Sequence, residues 1–380
     1  MSEKLPWCSM LYRVGASASG RGKGISRTVL RNVLYLASVG LAVHLILPQI
    51  PGLERSARLV AEAAPILVCA AFLAEVASEA CYAELLGRSV AAASRLGTSM
   101  RSRSRRGLDP WFMLRLTVCG YGAAHVLPGG GAAAATVTYG ALRARGVDRR
   151  AVGLAVAAVS GLVYGTLVVL FSVSLLYMLV RGDLTPAETV LTLVAAALVV
   201  AASLACYFVY RRPRAARRVH VDIVYRAVRV VRRRYGRREA DELVDRLSDR
   251  LREELRSLRR QVHSRPLEVL GWCCLAFGYW TFDALCLVLV FLALGVPVGV
   301  GALLVSYGIA TAAGALPLTP GGIGVFEATM LATLAVFGVG SEAVIPVLGY
   351  RLFNFWLPIP LSALLYPTLR KAGRGRSTVK

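Results

Sequence analysis

Apolar runs of about 18–30 residues recur along most of this chain, and runs of that length read as transmembrane helices. In hydrocarbon every backbone N–H and C=O needs a partner, and a helix supplies one within its own segment. Candidate spans lie at 29–47, 59–86, 111–127, 129–142, 151–180, 188–210, 267–294, 299–316, 323–338 and 343–369. A length of 380 residues would by itself predict two or three soluble domains, but these runs leave no soluble stretch of domain size. The expected fold is all-α, a polytopic helical membrane protein.

Arginine assigns the two sides. It supplies 41 of the 45 cations, and the net charge is +23. The basic stretches are 1–28, 88–106, 143–150, 211–265 and 370–380, and all read as cytoplasmic. The segments near 48–52, 182–186, 295–297 and 340–342 are poor in cations and read as external. Every crossing then joins a basic side to a neutral one, with both termini in the cytoplasm. Sidedness accounts for the basicity, so no nucleic-acid partner is expected. The Ala, Arg, Val and Gly content suggests a GC-rich bacterial gene and hence a bacterial cytoplasmic (inner) membrane.

Two places break the pattern. The run 129–142 has 14 residues, about 21 Å of helix against roughly 30 Å of hydrocarbon. Its turn, "HVLPGGGAAAA", carries no charge. Near the other end "ALPLTPGGIGVFEATM" joins two short apolar halves, again around Pro-Gly-Gly. Both places read as re-entrant helical hairpins, 111–142 and 299–338, although charge counting fits two spans with a tight neutral loop equally well. With hairpins the chain has about six full spans, in a first half 29–210 and a second half 266–369. The halves repeat a span–hairpin–span unit in opposite orientation, as in an inverted repeat. Between them, 211–265 carries 19 Arg against 8 acidic residues, with leucines at three- and four-residue steps. That pattern fits a basic amphipathic helix on anionic headgroups or a docking coil for a partner.

The second hairpin offers chemistry. Read as a helix start, Thr319 is the N-cap, Pro320 the first helical residue, and Gly321 and Gly322 expose backbone N–H groups. Such a start attracts a phosphate or carboxylate. A packing break for close helix approach is the alternative. Pro128, Gly129 and Gly130 are the corresponding residues of the first hairpin. Glu327 follows within two turns, and Arg351 and Asn354 lie in the last run. An unpaired charge in lipid is costly, so Glu327 and Arg351 are expected to face one cavity. Glu75 and Glu79 share a helix face. With Asp283 and His125 they form either structural pairs or an ion or proton pathway. His44 and His125 also fit packing roles, and Glu62, Glu84 and Arg115 lie near span ends. Neither a nucleophile–base pair nor a metal triad is evident, so catalytic, metal and cofactor roles are not expected. Seven of the eight cysteines lie in apolar runs with no CxxC spacing, as small apolar residues do.

"LPLTPGGIGVFE" followed by "GYRLFNFWLPIP" resembles the signature of the lysylphosphatidylglycerol synthase transmembrane-region family, flippase-like membrane proteins of the UPF0104 type. "LPGGGAAAATVTYGALRARGV" resembles that family's upstream Pro-Gly motif. The resemblance extends over roughly residues 29 to 369 and implies functional positions at Pro320, Gly321, Gly322, Gly324, Glu327 and Arg351. The sequence departs from it at "AAAATVTYG" and "VSGLVYG", which lack the charges many members carry there. The family's fused aminoacyl-transferase domain has no counterpart here, so that activity is not expected. The resemblance implies a flippase-type transporter of an anionic phospholipid or polyprenyl-linked lipid. The alternative is an accessory subunit of a membrane glycosyltransferase or lipid-modifying enzyme.

Overall fold

The computed structural model describes residues 61–95, 108–126, 130–181, 184–211, 265–315 and 319–374. These are helical, with no strand among them. The expected span at 29–47, the tail 1–28 and the basic segment between the halves, apart from its end residues, lie outside the described residues.

The first half holds α1 (Pro65–Arg95), α2 (Pro110–Val126), α3 (Gly131–Ala144), α4 (Arg149–Arg181) and α5 (Pro186–Arg211). The second holds α6 (Pro266–Ala293), α7 (Val300–Gly314), a 3-10 turn at Pro320–Gly322, α8 (Val325–Val336), a 3-10 turn at Ser341–Ala343, α9 (Val344–Arg351), a π turn at Leu352–Trp356 and α10 (Pro358–Arg374). Proline opens α1, α2, α5, α6 and α10, where its missing N–H would have no helical acceptor anyway. Ahead of α5, Thr185 and Glu188 cap each other: the Thr185 N–H donates to Glu188 Oε2 (2.6 Å) and the Glu188 N–H to Thr185 Oγ1 (3.4 Å).

Among the described residues, four segments are long and apolar enough to cross a membrane: α1, α4 to Val180, α6, and the stretch Ser341–Leu369. The last of these matches the span expected over 343–369, with a π turn inside it. Pro358 has no N–H to offer the carbonyl four residues back, and the ladder widens ahead of it, with the Leu357 N–H donating to the Leu352 carbonyl at 2.9 Å. Helix α1 also runs past its apolar portion, with Arg95 reaching Glu268 of α6 at 3.0 Å. Helices α3, α7 and α8 have 14, 15 and 12 residues. Each rises about 18–22 Å, short of the hydrocarbon thickness.

The halves pack by exchange. Helix α1 lies antiparallel to α6: the Ala64 N–H donates to the Ala293 carbonyl (2.9 Å) at one end, and Ser78 Oγ to the Tyr279 carbonyl (2.8 Å) in the middle. Helix α2, the first limb of one hairpin, packs along α10, the closing helix of the other half. Helix α7, the matching limb of the second hairpin, packs along α4. These two contacts are counterparts with the halves interchanged. One apolar core, including Leu85, Leu116, Leu287, Met330 and Leu334, runs through both halves. On the outside, α4 and α5 present Val169, Val173, Leu176, Leu193 and Leu198, a surface suited to lipid.

Candidate functional site

The Pro-Gly-Gly stretch is a turn ahead of a helix rather than a helix start. Gly321, Gly322 and Gly324 have φ of 60°, 70° and 79°, a left-handed region that a right-handed helix excludes. Helix α8 therefore begins at Val325, and Gly324 is its N-cap. This corrects the capping role expected of Thr319, whose Oγ1 is buried without a hydrogen-bond partner. A side chain at Gly321 would place Cβ 2.5 Å from Phe355 Cε2 and 3.1 Å from His125 Cα, so the turn is pressed between α2 and the π turn.

Glu327 sits at the third position of α8 and reaches back. Its Oε2 accepts the Gly324 N–H at 2.7 Å, the donor an anion at this helix end would use. Its Oε1 accepts Arg351 Nε at 2.5 Å, and both side chains are about 95% buried. Arg351 Nη2 donates to the Gly321 carbonyl at 3.3 Å. The rings of Phe326 and Phe355 flank the guanidinium at 4.8 and 4.4 Å, favourable cation–π distances. Glu327 thus fills the anion position of the break from within.

A second polar group lies one turn further. Asn354 Nδ2 donates to Asp283 Oδ1 (2.9 Å) and to Glu75 Oε1 (3.2 Å), joining the last segment to α6 and α1. Tyr350 Oη donates to the same Asp283 oxygen at 2.9 Å, and Tyr307 Oη donates to the other. Glu79 is buried beside them, one turn along α1. The structure so gathers Glu75, Glu79, Asp283, Asn354, Arg351 and Glu327 around the centre of the bundle. His125 stands apart from the carboxyl groups: its Nδ1–H donates to the Tyr121 carbonyl (2.8 Å) and its ring packs edge-on against Phe355. Gly130 caps α3. Pro128 and Gly129 lie outside the described residues. Tyr307, Tyr350, Phe326 and Phe355 are site residues that sequence reasoning did not single out. The signal for two of them was their place in "GYRLFNFW", beside Arg351 and Asn354. At the span ends, Glu84 pairs with Arg88 at 2.7 Å and is half-exposed.

A bundle of long apolar helices with ionisable groups buried between two opposed halves defines a polytopic helical membrane protein with an intramembrane polar site. The chain matches the family described as the lysylphosphatidylglycerol synthase TM region over residues 36–362, and it belongs to that family. A UPF0104 membrane protein of Methanothermobacter thermautotrophicus is 34% identical over 90 residues, 22% of this chain and 26% of that protein. The match spans about a quarter of that relative's length. Membership places the chain among membrane proteins related to lipid modification or transport.

Proposed function

We propose that this chain is a flippase-type transporter that moves an anionic phospholipid or polyprenyl-linked lipid across a bacterial cytoplasmic membrane. The observation that carries this reading is the Glu327–Arg351 pair at the Gly321–Gly324 break. It is an internal carboxylate on the two donors, the Arg351 guanidinium and the Gly324 N–H, that a lipid phosphate would need. A phosphate displaces Glu327 from Arg351 and occupies the helix N-terminus, while the acyl or prenyl chains stay in lipid. Phe326 and Phe355 hold the guanidinium flat and exclude water, which strengthens its attraction for an anion. Short helices α3, α7 and α8 suit re-entrant hairpins whose tips meet near mid-membrane, since Gly321 packs on His125 just ahead of the first Pro-Gly motif. The basic segment 211–265 would gather anionic headgroups at the cytoplasmic face.

The test is reconstitution of the pure protein in liposomes with a panel of headgroup-labelled anionic lipids, followed by dithionite quenching. Faster trans-bilayer exchange of at least one lipid, lost in Arg351→Ala, supports transport. Wild-type vesicles that behave like protein-free ones for every lipid would overturn it and favour an accessory role beside a membrane glycosyltransferase or lipid-modifying enzyme.

A further inference from the structure

We propose that Glu75 and Asp283, with Glu79 beside them, form a proton-binding site whose occupancy is coupled to the Arg351–Glu327 pair. The inference deepens the transport reading by naming the coupled ion, and the site can be tested without it. Asp283 receives three hydrogen bonds, from Tyr307, Tyr350 and Asn354, so its two oxygens are held in place from three helical segments. Glu75 shares the Asn354 donor with Asp283, so one amide nitrogen holds the two carboxyl groups side by side. As carboxylates both groups only accept, and two acceptors facing each other in a buried site repel. Glu75 Oε2 and Glu79 Oε2 are in fact buried with no donor, on side chains more than nine-tenths buried. A proton supplies the missing donor. It forms an O–H bond on one carboxyl and a hydrogen bond to the other, so the pair carries one negative charge in place of two.

The groups around this site are Tyr82 on α1, Tyr121 on α2, Tyr164 on α4, Tyr279 and Cys286 on α6, Tyr307 on α7, Glu327 on α8, and Tyr350 and Arg351 on α9, while His125 on α2 faces the Tyr121 carbonyl and Phe355 instead. Of these Arg351 is the cation, and Glu327 holds it. Arg351 and Asn354 sit on one continuous helical turn. Release of the proton to solvent adds a negative charge on the Asn354 side and draws Arg351 away from Glu327. Rebinding lets Arg351 return. Proton occupancy and the anion position of the break therefore oppose or assist each other through one guanidinium.

The experiment is infrared difference spectroscopy on the purified full-length protein in lipid, titrated with pH. A protonated-carboxyl band is expected to fade as pH rises and to be absent in Glu75→Gln combined with Asp283→Asn. Glu327→Gln frees Arg351 to stabilise the deprotonated pair, so it is expected to lower the midpoint by about one pH unit, and Arg351→Gln to raise it by a similar amount. Arg351→Lys keeps the charge and the wild-type midpoint. Exposed Glu84→Gln leaves it unmoved. Four results would each overturn the proposal: no titrating band in the wild type, a band that survives the double substitution, midpoints that fail to move in opposite directions, or loss of the band on adding sodium at fixed pH. If Glu327→Gln or Arg351→Gln does not fold, the wild-type, double-variant and Arg351→Lys titrations still decide. Lipid exchange is measured on the same vesicles: exchange without the band removes this inference and leaves transport standing, whereas the band without exchange keeps the proton site and removes transport.

Discussion

Arg351 and Asn354 are three residues apart, yet their side chains serve different carboxyl groups. Arg351 donates to Glu327 on α8, and Asn354 to Asp283 on α6 and Glu75 on α1. The π turn Leu352–Trp356 begins directly after Arg351 and contains Asn354. A widened turn is frequent where a helix must aim side chains at a site. One short segment thereby joins the second hairpin to the long helices of both halves.

Breaking the pair leaves a buried charge without its partner, which costs about 3–5 kcal/mol. Glu327→Ala and Arg351→Ala are each expected to lower the melting temperature in detergent and to abolish lipid exchange. Glu327→Leu combined with Arg351→Met removes both charges and is expected to melt near the wild type while remaining inactive. A double variant as unstable as the single ones would show that more than charge pairing is lost.

Glycine at 321 is required for two reasons, its left-handed φ and the closeness of Phe355 and His125. Gly321→Ala is expected to destabilise the protein by about 1–3 kcal/mol. Gly131 opens α3 and has no neighbouring atom near an added Cβ. Gly131→Ala is therefore expected to be neutral or stabilising by up to about 1 kcal/mol. Thermal melts of the two variants side by side decide the matter.

The register of α1 on α6 can be read chemically. A Cβ at Gly278 would lie 3.2 Å from Cys81 Sγ, close enough for a disulfide between the halves. Gly278→Cys, with the other native cysteines replaced, is expected to cross-link to Cys81 under mild oxidation, and the linked peptide to disappear in Cys81→Ser. Failure to cross-link would place the two helices out of this register.

Re-entry has its own measurement. Cysteines at positions 131 and 319, in a cysteine-free background, are expected to resist a membrane-impermeant thiol reagent from at least one side. Free labelling of both from the cytoplasm, at the rate of a residue in the basic stretch 96–106, would make these segments ordinary loops.

Much of this site was legible from isolated charges. Glu327 and Arg351 stood out because a lone carboxylate and a lone guanidinium in neighbouring apolar runs have few other ways to be satisfied. Glu75 and Glu79 could be placed on one face by spacing, but no spacing rule connects them to Asp283, which approaches from a distant helix. Tyr307 and Tyr350 were hidden because a tyrosine in an apolar run reads as packing, and only the carboxylate facing it shows that the hydroxyl is in use. "TPGG" resembles a helix cap. The better sign was Glu327 three places after Gly324, the spacing at which a carboxylate reaches back to the N-cap amide. The π turn in the last segment has its mark in Pro358, which lacks the N–H that an α-helical ladder would use there.

The exchange of limbs between halves sets the order in which this chain becomes complete during synthesis. Ser78 and its acceptor Tyr279 are 201 residues apart, and Glu75 and its donor Asn354 are 279 apart. At about 5–20 residues per second, Glu75 waits roughly 15–55 s for that donor after leaving the ribosome. Throughout that interval Glu75 on α1 lacks the Asn354 donor that it has in the finished protein. A substitution that slows insertion of the second half lengthens that interval, and is expected to act on the yield of folded protein before it acts on anything the finished molecule does.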